Sequence, residues 1–540
     1  MRCAARSISA RVTGGGVSIG VSKHPFGVGS LDSVEDPPIA FGPERPSPTE
    51  ERSIATSASA VIEGVEVSTE HWIGGDRVSS GTAFEDVSPL DETTIGEVAA
   101  AGPAEVDRAV EAARAGFEVW GAMPPKERAA VLHRIADLVE ERVPLLAAVE
   151  TRDNGSLLRS MRNSVMPRVA RNFRFFADQL MELGEPEFEM NDFRSRTEWD
   201  PSGVTAVITP WNAPLMLATW RIAPALAAGN AVIAKPPEWA PLTASMLAEI
   251  TRDAGLPDGA FNVVQGIGEE AGAALTAHPG VDRIAFTGSV DTGKLVARAA
   301  AGNLTPASLE LGGKSPFVAF ADADLDAVVK QAVNQFDNAG QVCLAGTRLI
   351  VERGAYDGFL ERFLQAATAI RQGDPREEST DLGPQITRDH FDRVDGFVQR
   401  AKADGAQVLI GGGPNEDLGG LYYRPTVFVD APAGSEILRK EVFGPVLTVQ
   451  AFDGEDEALA LANDTDYGLA AILYTGDRER AERVSQRLVA GTVWVNCFFV
   501  RDLRAPFGGA RNSGIGREGG VYSFDFYADV KNVCMAPWEG

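Results

Sequence analysis

The spacing of apolar residues along the chain changes near Val204. Upstream of it, apolar residues recur every three or four positions, which is typical of one face of an α-helix. Residues 106–117 follow this spacing directly after Pro103 and predict a first helix. Similar patterns predict a helix over 132–139 and an aromatic-rich helix over 171–183.

Downstream of Val204, short apolar runs alternate with helical stretches. The runs VTAVI, NAVIA, FNVV and RIAF contain no alternating polar positions, as expected of strands that are buried on both faces. Strand–helix–strand alternation of this kind predicts a doubly wound parallel sheet. The same pattern resumes from Pro316 to Val495, so two α/β domains are predicted.

The first 67 residues differ in composition from the rest of the chain. They are rich in Ser, Gly and Pro and show no sustained apolar period. They also lack the apolar core of about 7–15 residues that a secretory signal needs. The composition favours a disordered extension over 1–67 or a start codon assigned too far upstream, with an organelle transit peptide as the alternative.

The charge balance limits the classes of partner. A net charge of −26 argues against nucleic acid and against a polybasic membrane contact, because both need a basic face. The most apolar stretch, after Val204, is interrupted by Pro210, Asn212 and Pro214, so no transmembrane helix is predicted.

Cysteine and histidine usage argues against metal and disulfide sites. The four cysteines, Cys3, Cys343, Cys497 and Cys534, have no short paired spacing, which favours a reducing, cytoplasmic location. Five histidines spread along the chain argue against a His-based metal site and against a Ser-His-Asp triad.

Cys343 raises the question of chemistry. It lies in the stretch FDNAGQVCLAGTRLIV, flanked by small and amide residues. A free cysteine is most often a small core side chain. A nucleophilic role requires a base and an oxyanion donor elsewhere in the chain.

Two glycine turns and one acidic turn are candidates for nucleotide binding. Gly288 begins a P-loop-like pattern, but Leu295 stands where a P-loop needs Ser or Thr, so an ATPase is a distant alternative. A second glycine turn contains Gly268, and each turn alone fits an ordinary strand–helix connection. Lys235 and Glu238 follow the strand NAVIA, where a carboxylate binds both ribose hydroxyls and favours NAD over NADP.

Together these motifs form an ordered series along the chain. They are ITPWN at 208–212, KPPE at 235–238, FTGS at 286–289, LELGGKSP at 309–316, GQVC at 340–343, EVFGPV at 441–446, PFGG at 506–509 and SGIGREGG at 513–520. The series closely resembles the aldehyde dehydrogenase superfamily, and the resemblance covers residues 70–536.

The resemblance implies a role for each matching position. Cys343 would be the nucleophile, Glu310 the general base and Asn212 an oxyanion donor. Because relatives that transfer the acyl group to coenzyme A typically lack this glutamate, Glu310 favours release of the acid by hydrolysis. The residues implied to bind NAD are Ile208, Trp211, Lys235, Glu238, Gly268, Gly288, Ser289, Glu441 and Phe443. The spacing from Glu310 to Cys343 is one residue shorter than the family pattern, and we expect the segment 331–337 to absorb the difference.

The C-terminal region suggests a substrate. RDL before PFGG, together with SFDFYADVKNV, resembles the branch that oxidises 2-hydroxymuconic, 2-aminomuconic and 5-carboxymethyl-2-hydroxymuconic semialdehydes. Such substrates carry carboxylates, so an acidic protein needs a local cation to bind them. Arg501 is the first candidate and Arg162 the second. The alternative for Arg501 is an ion pair with Asp502 or another nearby acid.

Two other functions stay open at this point. One is a broad aldehyde dehydrogenase for neutral aldehydes, and the other is a catalytically silent protein on the same fold. By the resemblance, a Rossmann-like NAD-binding domain would comprise 68–184 and 201–309, and the catalytic domain 310–505. A small β arm over 185–200 and 520–540 would mediate a homodimer or homotetramer.

Overall fold

The computed structural model describes residues 58–538 of the chain. Within this range the strands, in chain order, are β1 Ser59–Ile62, β2 Val65–Ser68, β3 His71–Ile73, β4 Asp76–Val78, β5 Ala83–Val87, β6 Thr94–Ala99, β7 Glu187–Met190, β8 Phe193–Pro201, β9 Val204–Ile208, β10 Ala231–Lys235, β11 Phe261–Val263, β12 Arg283–Thr287, β13 Ala307–Glu310, β14 Pro316–Ala319, β15 Arg348–Glu352, β16 Gln407–Ile410, β17 Thr426–Val429, β18 Val446–Phe452, β19 Ala470–Tyr474, β20 Thr492–Val495, β21 Gly514–Ile515 and β22 Ala528–Met535.

The helices occur mainly between these strands. They are α1 Pro103–Trp120, α2 Pro125–Glu141, α3 Val143–Asn154, α4 Leu158–Ser160, α5 Met166–Glu182, α6 Pro214–Ala228, α7 Leu242–Asp253, α8 Ala273–Ala277, α9 Val290–Asn303, α10 Leu325–Val333, α11 Arg353–Thr368, α12 Arg388–Ala403, α13 Glu436–Arg439, α14 Glu455–Asn463, α15 Arg478–Arg487 and α16 Gly520–Tyr527. The three predicted N-terminal helices correspond to α1, α2 and α5. None of the helices in the described range is both long enough and apolar enough to cross a membrane.

An eight-stranded sheet has the order β21-β13-β12-β9-β10-β11-β3-β4. Its five central strands are parallel, and β3, β4 and β21 add antiparallel edges. Helices α2, α5, α6 and α7 cover one face, and α1, α8 and α9 cover the other. Because both faces are buried, the strands read as unbroken apolar runs, and the predicted α/β fold is confirmed.

A seven-stranded sheet has the order β16-β17-β18-β15-β14-β19-β20. All its pairings are parallel except that of β16 with β17. The chain passes directly from β13 of the first sheet to β14 of the second, through the glycines of LELGGKSP. Residues at the carboxyl ends of the first sheet therefore lie close to the start of the second.

A three-stranded sheet forms the predicted arm, with β8 between β7 and β22. The predicted boundary of its C-terminal part was wrong. Residues 520–527 form α16, whose Phe524 and Tyr527 are buried in the core beside α5 and α6. The alternation of polar and aromatic residues in SFDFY is typical of a strand, whereas the buried Phe524 and Tyr527 lie three positions apart, which is the spacing of one helical face.

The last ten residues of the predicted disordered extension were also assigned wrongly. Residues 59–68 form the hairpin β1–β2, with Ala60, Ile62 and Val67 buried against β6, α3 and α7. Glu63 and Gly64 both have positive φ, at 49° and 81°, which is the geometry of a tight hairpin turn. Residues 1–57, which hold the rest of that prediction, lie outside the described residues.

Candidate active site

The candidate catalytic residues come from three different elements. Asn212 follows β9, Glu310 ends β13, and Cys343 lies in the loop before β15. The carboxyl ends of β9 and β13 meet at one edge of the eight-stranded sheet, with only β12 between them. All three side chains line one cavity of about 410 Å³, so the structure brings together the predicted catalytic residues.

The Cys343 loop depends on an unusual backbone. Asn338, Ala339 and Gly340 have φ values of 52°, 56° and 73°, three successive residues in the left-handed region. A Cβ atom on Gly340 would lie 2.1 Å from the carbonyl oxygen of Gly444, so only glycine fits there. Strained backbone of this kind is often found at functional sites. It falls beside 331–337, where the shorter spacing was expected to be absorbed.

Gly313 brings the second motif against this loop. A Cβ atom on Gly313 would lie 2.5 Å from the carbonyl oxygen of Cys343. The absence of a side chain thus allows the LELGGKSP segment to pack directly on the backbone of the thiol residue.

Hydrogen bonds orient the Asn212 side chain. Its Nδ2 donates to the carbonyl oxygen of Gln341 at 2.9 Å, and Asn338 Nδ2 donates to the carbonyl oxygen of Asn212 at 3.0 Å. A carboxamide nitrogen carries two N–H groups. The second N–H of Asn212 has no protein partner among residues 58–538, so it is available to a ligand oxygen.

The environment of Cys343 favours the neutral thiol. Burial raises the pKa of Cys343 to about 12, and the carboxylates of Glu441 and Glu310 act in the same direction. Arg501 opposes them. Because the thiolate is the nucleophile, the thiol proton has to be accepted by a nearby group when the sulfur attacks.

Glu310 has the properties of such a proton acceptor. Burial and the nearby Glu518 carboxylate raise the pKa of Glu310 to about 8, while Arg221 and Arg501 oppose the shift. Its Oε1 is buried and makes no hydrogen bond. A carboxyl group with a pKa near neutrality exchanges protons readily at physiological pH.

A buried ion pair near Glu310 was missed from the sequence. Arg221 Nη1 lies 2.8 Å from Glu518 Oε1, and both side chains are nearly inaccessible. Arg221 Nε also donates to Thr287 Oγ1 at 2.9 Å. The sequence feature that could have indicated this pair is Glu518 in the motif SGIGREGG. This residue follows β21, which is an edge strand of the first sheet.

The residues predicted to hold the adenosine ribose lie together. Lys235 Nζ donates to Gly266 O at 2.7 Å and lies 3.3 Å from Glu238 Oε2. The Glu238 side chain keeps 26% of its surface exposed, and a Cβ atom on Gly268 would come within 4.0 Å of its Oε1. A carboxylate held beside a buried ammonium and a glycine turn fits a ribose diol.

The predicted pyrophosphate site lies at the next strand. Ser289 begins α9, and its Oγ accepts a hydrogen bond from the backbone N–H of Thr292 at 3.1 Å. Gly288 N–H donates to Glu310 O at 3.1 Å, which links this turn to β13, the strand that carries Glu310. Free N–H groups at a helix start attract anions. The geometry therefore fits a dinucleotide across the carboxyl ends of β9, β10 and β12.

An aromatic cluster surrounds Trp211, the residue directly before Asn212. Trp211 lies edge-on to Phe443 and to His390, at ring-centroid distances of 5.3 and 5.0 Å. Phe443 has φ 61°, and its carbonyl oxygen lies 2.7 Å from His390 Nε2. Glu441 Oε1 accepts a hydrogen bond from the N–H of Gly313 at 2.9 Å, and burial raises the pKa of Glu441 to about 7. Ile208, which ends β9, is buried in the same core cluster as Phe286 and Leu311.

Arg501 lines the same cavity as Cys343, the candidate catalytic cavity. Its guanidinium lies 3.7 Å from the centroid of the Phe507 ring and 4.9 Å from that of Trp220. Within the described residues it forms no ion pair, and Asp502 instead pairs with Arg504 at 2.6 Å. The alternative of an Arg501–Asp502 pair was therefore wrong.

The second arginine prediction was also wrong in position. Arg162 is exposed and does not line the cavity. Met161, Ser164, Val165, Arg168 and Asn172 line it instead, at the spacing of one helical face that continues from the wide turn 161–165 into α5. Arg162 falls off this face.

Arg168 is the arginine that the helical spacing selects. Its Nε donates to Asn172 Oδ1 at 2.9 Å, and its guanidinium lies 5.5 Å from the ring centroid of Trp220. Burial and the positive charges of Arg501 and Arg171 lower the pKa of Arg168 to about 9. Two guanidinium groups on one aromatic ring form a site that an anion would stabilise.

Comparisons with known proteins agree with this geometry. The profile of the aldehyde dehydrogenase family matches residues 76–533. A 2-hydroxymuconic semialdehyde dehydrogenase of Pseudomonas sp. (strain CF600) is 44% identical over 480 residues, which is 86% of this chain and 99% of that enzyme. A 2-aminomuconic semialdehyde dehydrogenase of Danio rerio is 41% identical over 475 residues, which is 86% of this chain and 98% of that enzyme.

Solved structures show the same relationship. HpcC from Thermus thermophilus is 45% identical with a TM-score of 0.84, covering 86% of this chain and 93% of its own. An indole-3-acetaldehyde dehydrogenase crystallised with NAD+ is 36% identical with a TM-score of 0.86, covering 88% and 98%. The chain belongs to the aldehyde dehydrogenase family.

Proposed function

We propose that this NAD-dependent aldehyde dehydrogenase oxidises a carboxylated, muconic-type semialdehyde to the corresponding acid through a thioester on Cys343. The observation that carries the substrate assignment is the pair of guanidinium groups, Arg501 and Arg168, in the cavity that also holds Cys343 and Glu310. Neither forms an ion pair among the described residues, so both are available to an anionic substrate.

Addition of the thiol is the first step. The Cys343 sulfur bonds to the aldehyde carbon, and its proton passes to a nearby base such as Glu310. The carbonyl oxygen becomes an oxyanion, which the free Asn212 N–H stabilises together with the Cys343 backbone N–H. Preorganised donors of this kind are typically worth about 10²–10³ in rate each.

NAD supplies the hydride acceptor for the second step, which converts the thiohemiacetal to a thioester. Lys235, Glu238, Gly268, Gly288 and Ser289 would hold its adenosine and pyrophosphate portion. Glu441 would bind the nicotinamide ribose, while Phe443, Trp211 and Ile208 pack around that end of the cleft.

Hydrolysis completes the reaction. Glu310 first releases to solvent the proton that it took from the thiol, and then accepts a proton from water. The hydroxide adds to the thioester carbon, the C–S bond breaks, and Glu310 returns a proton to the Cys343 thiolate as the carboxylic acid is released. The Glu310 Oε1 atom makes no hydrogen bond and the residue lines the cavity, which supports this role because the carboxylate keeps a free lone pair.

The relatives support the choice of substrate. The enzymes named above act on 2-hydroxymuconic and 2-aminomuconic semialdehydes, which join an aldehyde to a carboxylate through a short conjugated chain. A guanidinium binds a carboxylate bidentately, and a desolvated pair of them offsets the long-range repulsion of an acidic protein.

A neutral aldehyde is the second candidate, because much of the cavity wall is apolar. The residues that make up this part are Leu157, Met161, Val165, Met216, Leu217, Val342, Leu469, Phe499 and Phe507. Such a wall accepts an aliphatic or aromatic chain without using either arginine.

Comparing charged and neutral substrates in arginine variants tests the proposal. Arg501→Met and Arg168→Met are expected to lower kcat/KM for 2-hydroxymuconic semialdehyde by about 10–100-fold each, since charge-assisted hydrogen bonds contribute about 1.5–3 kcal/mol. Turnover of hexanal should stay within about twofold. Arg162→Met is the matched control, because Arg162 does not line the cavity. Equal losses on both substrates would favour the neutral-aldehyde function. No NADH from any aldehyde, with NAD still bound, would favour a catalytically silent protein.

The remaining assignments are part of the same proposal. Residues 68–184 and 201–309 form the NAD-binding domain, and 310–505 form the catalytic domain. The edge of β22 in the arm pairs with a neighbouring subunit in a homodimer or homotetramer. The absence of paired cysteine spacing supports a cytoplasmic enzyme.

A further inference from the structure

A second, smaller cavity adjoins the catalytic one. It has a volume of about 100 Å³ and is lined by Asn334, Gln335, Asp337, Val342, Ala345, Phe498 and Phe499. Asp337, Val342 and Phe499 also line the catalytic cavity. The two cavities therefore share a wall, and Asp337 is the charged residue of that wall.

The position of Asp337 is fixed from both sides. Phe336 is 1% exposed and stacks on Phe363, with ring centroids 6.3 Å apart. Asn338 Oδ1 accepts a hydrogen bond from Ser156 Oγ at 2.9 Å, and Asn338 Nδ2 donates to Asn212 O at 3.0 Å. Since both neighbours are anchored, Asp337 cannot leave the wall without disturbing the Cys343 loop.

The Asp337 carboxylate lacks a cationic partner. It accepts a hydrogen bond from the N–H of the adjacent Asn338, and the nearby Arg159 is engaged with Asp381 at 3.1 Å. No ion pair to Asp337 exists in the described part of the chain. Asp337 is exposed where it lines the two cavities. The group is thus an acceptor with free lone pairs that a ligand can reach.

The charges of the cavity are arranged for a substrate with two polar features. Arg168 and Arg501, both beside Trp220, suit a carboxylate. Asp337 repels a carboxylate and attracts a hydrogen-bond donor. A plain aliphatic aldehyde would leave all three groups unsatisfied.

We propose that Asp337 determines specificity by accepting a hydrogen bond from a hydroxyl or amino substituent of the carboxylated semialdehyde. This inference rests on the proposed function and narrows its substrate class. A site built to bond a substrate O–H or N–H rejects the analogue that lacks it, because a bound analogue shields the acceptor from water and leaves it unpaired.

Paired substrates and paired variants test this role. The substrates are 2-hydroxymuconic semialdehyde and 6-oxohexanoate, a carboxylated semialdehyde of equal chain length without the hydroxyl. The variants are Asp337→Leu, which removes the acceptor, and Asp337→Asn, which keeps an acceptor oxygen of similar size. Asp357→Leu is the control, since Asp357 is an exposed residue of α11 that lines neither cavity.

In Asp337→Leu, kcat/KM for the hydroxylated substrate is expected to fall at least about tenfold, mainly through KM. Turnover of 6-oxohexanoate should be unchanged or improved, because a like charge has been removed. Asp337→Asn should restore most of the loss, and Asp357→Leu should match wild type. NAD affinity, measured by calorimetry, should be the same in all variants.

The outcomes separate the two proposals. If Asp337→Leu lowers turnover of both substrates equally, or of neither, the specificity role is wrong while the preference for carboxylated aldehydes stands. If wild type prefers hexanal to both carboxylated substrates, the proposed function itself fails.

Discussion

Removing the charge of Glu518 should move the pH dependence of thioester hydrolysis. Glu518 raises the pKa of Glu310 and is paired with Arg221 at 2.8 Å. In Glu518→Gln that repulsion disappears and Arg221 is left free to attract the Glu310 carboxylate. Both effects lower the pKa of Glu310, so the acid limb of the kcat profile should shift to lower pH.

The size of the effect follows from the pKa of Glu310. With a pKa of about 8, roughly one tenth of Glu310 is ionised at about pH 7. If the pKa of Glu310 falls by about one unit, about half of Glu310 is ionised at about pH 7. A hydrolysis step that needs the ionised base then becomes up to about fivefold faster. Breaking a buried ion pair should also cost about 3–5 kcal/mol of stability.

Pre-steady-state kinetics separate hydrolysis from the earlier steps. A burst of NADH would show that thioester breakdown limits turnover. The rate of thioester hydrolysis, taken from the steady-state phase after the burst, is then measured against pH in wild type and Glu518→Gln. The double variant Glu518→Gln/Arg221→Met is the control, because it removes both charges and should shift the limb less. An acid limb that stays in place, or moves to higher pH, would refute this account of the Glu310 environment.

Three further changes test other parts of the structure. Glu238→Ser should raise kcat/KM with NADP and lower it with NAD, because the carboxylate beside Lys235 repels a 2′-phosphate; steady-state kinetics with both cofactors measure this. Gly340→Ala should destabilise the fold by about 2–4 kcal/mol and abolish turnover, since its Cβ would meet the Gly444 carbonyl at 2.1 Å; thermal denaturation checks the stability change, and an active, stable variant would contradict it. Asp86 is 1% exposed and lies beside the buried Asp153, and burial raises the pKa of Asp86 to about 7 and that of Asp153 in the same direction. The folded state thus holds a proton that the unfolded state releases above about pH 4, so this group's contribution to stability falls as the pH rises to about 7 and is constant above it. Asp86→Asn should flatten that part of the decline in urea denaturation, and an unchanged decline would exclude Asp86 as its source.

Sequence patterns predicted the fold for a physical reason. Strands buried on both faces read as unbroken apolar runs, and the residues that follow them meet at one sheet edge. The catalytic set, Asn212, Glu310 and Cys343, came from the resemblance instead. The sheet order explains why Asn212 and Glu310 lie together, whereas the loop of Cys343 comes from the second sheet.

The substrate end of the site was harder to predict. To choose Arg168 over Arg162, one must know which residues of this helical segment face the cavity. The wide turn 161–165 shifts that face, and the sequence does not mark the turn. Asp337 lies in a strained segment that has no sequence signature. The state of Arg501 depended on which residue paired with Asp502, and the structure shows that it is Arg504.

Formation of NADH by wild type and Cys343→Ala, with 2-hydroxymuconic semialdehyde beside hexanal, tests the central claim most directly. The account predicts a strong preference of wild type for the semialdehyde and no oxidation of either aldehyde by Cys343→Ala, which should still bind NAD. Equal or faster oxidation of hexanal would contradict the carboxylated substrate, and activity retained in Cys343→Ala would contradict the thioester mechanism.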